Sequence, residues 1–90
     1  MIDSVSFTLD GLEDYIFWQT GDKRTLKKIN QLINDIVRNG HTGMGHPEQL
    51  KGDLEGYWSR EIDGKNRLLY RILDDGRVEI VHCKSHYGDK

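Results

Sequence analysis

Ninety residues, 36% hydrophobic and 31% charged, suffice for one small globular domain spanning 1–90 and carry too many periodic apolar positions for a disordered chain. The longest apolar runs are a few residues, as at Tyr15-Ile16-Phe17-Trp18, which excludes a helix across the roughly 30 Å hydrocarbon core of a bilayer. A formal net charge of −2 argues against nucleic-acid binding in bulk, yet Asp3, Asp10, Glu13, Asp14 and Asp22 crowd residues 1–22 without a Lys or Arg, so a basic face can form elsewhere.

Val5-Ser6-Phe7-Thr8-Leu9 alternates apolar and hydroxyl residues and predicts a half-buried strand with Val5, Phe7 and Leu9 inward. Asp10-Gly11-Leu12-Glu13 reads as a capping box that opens a helix ending near Gly21. A second helix begins at Asp22, carries Leu26, Ile29, Ile33, Ile36 and Val37 as one apolar stripe, and ends at Asn39-Gly40. Lys23, Arg24, Lys27 and Lys28 crowd its first two turns, where the macrodipole disfavours each cation by about 0.3–1 kcal/mol. They form either a solvated charged face or a contact surface for RNA phosphates.

Residues 40–56, with five glycines and the only proline, predict a long loop, and long ordered loops in small domains are often functional. A meander follows: Tyr57 to Ile62, a turn at Asp63-Gly64, Arg67 to Leu73, a turn at Asp75-Gly76, and Arg77 to about Tyr87, with 88–90 as a flexible tail. The expected fold is α+β, in the order βααβββ, with two N-terminal helices packed on one face of a small, mostly antiparallel sheet. Alternation sends Leu68, Tyr70 and Ile72 toward the helices and Arg67, Leu69 and Arg71 to the other face, which suits a single-stranded polyanion.

Metal-free RNA cleavage needs a base for the 2′-hydroxyl, a cation for the phosphorane and an acid for the departing 5′-oxygen. Glu48, Arg67 and His86, from a loop and two strands of one sheet, can fill these roles. A glutamate is ionised at neutral pH, whereas a histidine needs a bound phosphate or a neighbouring carboxylate to hold its proton. The competing readings are a solvated loop acid, cross-strand ion pairs of Arg60 and Arg67, and a frayed tail at His86-Tyr87. His82 and His86 on one strand stand roughly 13 Å apart, too far to share a zinc ion. No metal site or cofactor is expected, and Cys83 reads as a small buried residue. Trp18, Trp58 and Tyr15 read as core or dimer contacts before base-stacking platforms. The single cysteine and an N-terminus without a basic-then-apolar signal favour a reducing cytoplasm.

From Asp14 to Tyr87 the chain resembles the YoeB branch of the RelE toxin superfamily. The resemblance is carried by Asp14-Tyr15-Ile16-Phe17-Trp18-Gln19, Asp22-Lys23-Arg24, Lys27-Lys28-Ile29-Asn30, Gly43-Met44-Gly45-His46-Pro47-Glu48-Gln49-Leu50-Lys51, Gly56-Tyr57-Trp58-Ser59-Arg60, the Arg-Leu-x-Tyr strand at Arg67-Leu68-Leu69-Tyr70, and His86-Tyr87. It implies a ribosome-dependent endoribonuclease that cuts messenger RNA in the A site, leaves a 2′,3′-cyclic phosphate and a free 5′-hydroxyl, and is held inactive by a YefM-like antitoxin. It makes Glu48 the general base, Arg67 the transition-state cation, His86 the general acid and Tyr87 a substrate-positioning residue. Lys51 and Arg60 match positions that contact phosphate or shape the groove, and a homodimer is implied. The alternative is a non-catalytic module of the same fold, as in the ParE relatives or an antitoxin-binding protein, although the ParE relatives lack the Glu, Arg and terminal His set.

Overall fold

The computed structural model describes residues 2–85. Its elements are β1 (Ser4–Phe7), α1 (Leu9–Gln19), α2 (Lys23–Asn39), β2 (Glu48–Gln49), β3 (Trp58–Glu61), β4 (Arg67–Ile72) and β5 (Arg77–His82), with a 3-10 turn at Gly52–Leu54. The five strands form one mixed sheet in the order β1-β5-β4-β3-β2, in which only β1 and β5 run parallel. The α+β class and the helices-then-meander order follow the sequence reading. The segment 40–56 departs from it, because Glu48 and Gln49 pair antiparallel with Ser59 and Trp58 and add a fifth strand at the sheet edge. Two residues are too few for a periodicity to show.

The first helix starts two residues earlier than the expected capping box. Thr8, not Asp10, is the N-cap: its hydroxyl oxygen accepts the Gly11 N–H at 3.0 Å and donates to the Val81 carbonyl at 3.1 Å, tying the helix start to β5. Leu9 therefore becomes the first helical residue and is 85% exposed, and Val5 is also exposed, while Phe7 packs against the core as predicted. Along α1 only Gly11, Asp14 and Trp18 are buried, at helical spacing. A Cβ on Gly11 would stand 2.3 Å from the Ile80 carbonyl oxygen, so only glycine lets α1 lie this close to β5.

At the start of α2 the Asp22 carboxylate accepts the Arg24 N–H at 3.0 Å and the Thr25 hydroxyl at 2.9 Å, which holds its carboxyl below the usual range. Ile29, Leu32 and Ile36 are fully buried, Leu26 and Ile33 partly so, and Val37 is exposed, so the buried stripe includes Leu32, which the expected set lacked, and leaves out Val37. The helix ends at Gly40, whose N–H still donates to the Ile36 carbonyl at 2.8 Å and whose φ of +68° turns the chain out of the helix.

These α2 side chains meet Leu68 and Tyr70 of β4 and Val78 and Ile80 of β5, with Trp18, Ile62 and Cys83 completing the core. Full burial of each such aliphatic side chain favours folding by about 1.5–3 kcal/mol. Trp58 and Tyr15 pack against this cluster, in keeping with their reading as core contacts. Cys83 is the small buried residue expected: burial, then the Asp14 carboxylate, pushes its thiol up to about 12, so it is no nucleophile at neutral pH. The last strand ends at His82, earlier than the run to Tyr87 suggested, after a register shift between Leu69 and Tyr70. Among the described residues no helix is long and apolar enough to cross a membrane.

Candidate active site

The pleat of the β3–β4 hairpin decides which side chains share the open face. Register pairs Ser59 with Leu69 and Glu61 with Arg67, while β2 sets Glu48 opposite Ser59. Three strands thus bring Glu48, Ser59 and Arg67 together. The Arg67 Nε–H donates to Ser59 Oγ at 3.1 Å, and its Nη2 stands 3.4 Å from Glu48 Oε1. The Glu48 side chain is 66% exposed and that of Arg67 33%, over a buried Leu69.

This arrangement is loose on the side that faces solvent. A guanidinium carries five N–H donors, and among the described residues only Nε and Nη2 of Arg67 meet a protein acceptor, so donors remain to take a phosphate oxygen. The Glu48 carboxylate keeps open lone pairs for a hydroxyl proton. Ser59 had no assigned role beyond its place in the Trp-Ser-Arg motif. Its signal was its position, one rung from Arg67 and opposite Glu48, which needs the register to be seen.

The rest of the open face is mixed in charge, where the alternation of β4 suggested a basic surface. Arg71 Nε donates to Glu79 at 2.7 Å, which raises the arginine's pKa, and the guanidinium lies 5.2 Å from the Tyr57 ring centroid. Glu61 stands 3.4 Å from His46 Nδ1. Arg67 and Arg71 thus each have a carboxylate beside them, Glu48 from two strands away and Glu79 from directly across.

Lys51 follows β2 directly and, with Gln49, Leu50, Gly52 and Glu55, lines a shallow hollow of about 380 Å³. Lys27 and its neighbours Lys23 and Arg24 are exposed on α2, with Lys28 half-buried. Among the described residues no hydrogen bond or ion pair joins Lys27, Lys28 or Lys51 to Glu48 or Arg67. Arg60 requires a correction. Its side chain has no exposed surface and is paired with Asp35 and loop carbonyls, so it cannot contact phosphate; of the two roles expected for it, shaping the groove is the one compatible with burial.

His86 and Tyr87 lie outside the described residues. The segment leading to them is held by α1. The Asp14 carboxylate, itself buried, accepts the Cys83 N–H at 3.0 Å and stands 3.4 Å from His82 Nδ1, while Trp18 Nε1–H donates to the Cys83 carbonyl at 2.7 Å. Lys84 Nζ sits 4.0 Å from the Phe17 ring centroid. His41 stacks on Trp58 with ring centroids 3.9 Å apart, and burial, then the Arg60 charge, pushes its pKa down. Among the described residues no three His, Cys, Asp or Glu side chains converge as a metal site.

The small helix-backed mixed sheet is an architecture that solved structures share. The family profile for the YoeB-like toxin of bacterial type II toxin–antitoxin systems matches residues 7–87. Toxin YoeB of Streptomyces coelicolor is 51% identical over 83 residues, covering 92% of this chain and 98% of that protein. Two Staphylococcus aureus structures superpose closely. A heterotetrameric YoeB–YefM toxin–antitoxin complex matches with a TM-score of 0.86 and 43% identity, over 97% of this chain and 99% of that one. A YoeB dimer matches with a TM-score of 0.84 and 45% identity, over 93% and 97%. The chain belongs to the YoeB-like toxin family.

Proposed function

We propose that this toxin is an endoribonuclease that cuts messenger RNA in the ribosomal A site by metal-independent attack of the RNA's own 2′-hydroxyl. The observation that carries the reading is the meeting of Glu48 and Arg67 at 3.4 Å on the open sheet face, with Ser59 holding the arginine's Nε. Glu48 takes the 2′-hydroxyl proton as the oxygen attacks phosphorus. Arg67 stabilises the charge on the pentacoordinate phosphorane, and His86 gives a proton to the departing 5′-oxygen. The P–O5′ bond breaks, leaving a 2′,3′-cyclic phosphate and a free 5′-hydroxyl. Base, cation and acid close the proton balance without a metal-bound hydroxide. Tyr87 positions the scissile nucleotide, while Lys51, Lys27 and Lys28 bind flanking phosphates.

The solved YoeB–YefM complex and YoeB dimer support two assemblies. A YefM-like antitoxin holds the chain inactive by covering the open face, and free toxin forms a homodimer. The test of the activity is incubation of the purified toxin with naked mRNA and with the same mRNA on programmed ribosomes. Cleavage at the A-site codon only in the presence of ribosomes is expected; no cleavage on ribosomes defeats the reading.

A further inference from the structure

The Arg60 guanidinium is fully buried, and each of its five donors is used. Nε donates to the Tyr70 hydroxyl at 3.3 Å, Nη1 to Asp35 and to the Met44 carbonyl at 3.1 Å, and Nη2 to the carbonyls of Gly40 at 2.6 Å and Thr42 at 3.1 Å. Asp35 grips the same segment from α2, accepting the Met44 N–H at 3.0 Å and the Asn39 side-chain amide at 2.7 Å. Every second carbonyl of residues 40–44 therefore points at one cation. The chain leaves this clamp at Gly45, whose carbonyl accepts the Glu61 N–H at 2.6 Å, and three residues later reaches Glu48.

Apolar packing adds little beyond His41, which stacks on Trp58. Met44 is the only large hydrophobic side chain between Gly40 and Glu48, and it is exposed. The strand that bears Glu48 has two residues, too short to fix its own register. Arg67, by contrast, sits in a six-residue strand paired on both sides and keeps its place whatever the loop does.

We propose that Arg60 and Asp35 are positioning residues of the ribonuclease: they touch no RNA, but by fixing residues 40–46 they set where the Glu48 carboxylate stands relative to Arg67. This rests on the reading of Glu48 as the general base. A base must lie within hydrogen-bond reach of the proton it removes, and a misplacement of about 1 Å can cost on the order of 100-fold in rate. Stability alone is a poor reason for such a pair, since well-packed apolar residues often replace a buried ion pair without loss.

The test uses the full chain with Arg60→Met and Asp35→Leu combined, and separately Asp35→Asn, which keeps an oxygen for the Met44 N–H should the double variant fail to fold. Single-turnover cleavage on ribosomes, amide hydrogen exchange and a cycle with Glu48→Gln are measured. In the folded variants kcat falls by roughly 10–100-fold with KM little changed. Amides of residues 45–49 exchange faster while those of β4 do not. Adding Glu48→Gln to a clamp variant costs far less than it does in the wild type, because a misplaced base has little left to lose. A folded clamp variant with the wild-type rate, or losses that simply multiply with Glu48→Gln, overturns the proposal while leaving the ribonuclease reading intact. Full activity of Glu48→Gln alone overturns both.

Discussion

Arg60 and Arg67 stand on adjacent strands of one hairpin, and the pleat sends them to opposite faces of the sheet. On the helix side Arg60 has no exposed surface and every donor taken; on the open side Arg67 is a third exposed, with donors to spare. The same side chain is thus a structural bolt in one place and an available cation in the other. What separates them is the count of satisfied donors, not charge.

The two faces are best separated by substitutions that should hit one property and spare the other. The largest effect is expected for Glu48→Gln, which removes the proposed base: cleavage falls by about 10²–10⁴-fold while the urea midpoint shifts within about 0.5 kcal/mol, as for an exposed residue. Arg60→Ala should do the reverse in kind, costing about 3–5 kcal/mol of stability because it strands the Asp35 carboxylate, and chemical denaturation followed by tryptophan fluorescence reads that loss. Arg67→Ala should slow cleavage by roughly 10²–10³-fold with a near-normal unfolding midpoint. If Arg67→Ala unfolds the chain as Arg60→Ala does, the distinction between the faces is lost.

Stability should also depend on pH through the helix side. The Arg60 guanidinium, above its other partners, holds the Asp35 carboxyl below its ordinary 3.8, so this contribution is complete above pH 3.8 and is lost as pH falls through the lower native value. His41 is pushed below its ordinary 6.5, chiefly by burial. The unfolded chain therefore takes up a proton that the native one refuses, and stability declines as pH drops from 6.5 toward the native value. Thermal unfolding between pH 8 and 3 should show both steps, and His41→Gln should remove the upper one. The smallest effect belongs to Arg71→Ala, which breaks a partly buried cross-strand pair with Glu79 and should cost about 1 kcal/mol.

Much of the fold was legible because it repeats. The stripe of α2, the Asp22 cap and the Asp63-Gly64 and Asp75-Gly76 turns are local signals that packing did not overrule. The Thr8 cap was not legible, since both Thr8 and Asp10 are good N-caps and the choice is made by the Val81 carbonyl, which only the folded sheet supplies. Glu48 and Arg67 were nameable from the motifs that carry the family resemblance, but their partner Ser59 appears only with the β2–β3 register. The burial of Arg60 was hidden for the same reason: three of its acceptors are carbonyls, which every residue has, and no pattern in the sequence singles out Asp35. Asp14 likewise read as part of an acidic N-terminal segment, whereas its buried carboxylate caps the chain at Cys83.

The most direct test of the open face as a metal-independent ribonuclease site is the chemistry of the ends it makes. Messenger RNA cleaved on programmed ribosomes, with their own magnesium demand controlled, should carry a 2′,3′-cyclic phosphate on the upstream fragment and a free 5′-hydroxyl on the downstream one. A downstream fragment bearing a 5′-phosphate would contradict attack by the RNA's own 2′-hydroxyl, and with it the roles given to Glu48, Arg67 and His86.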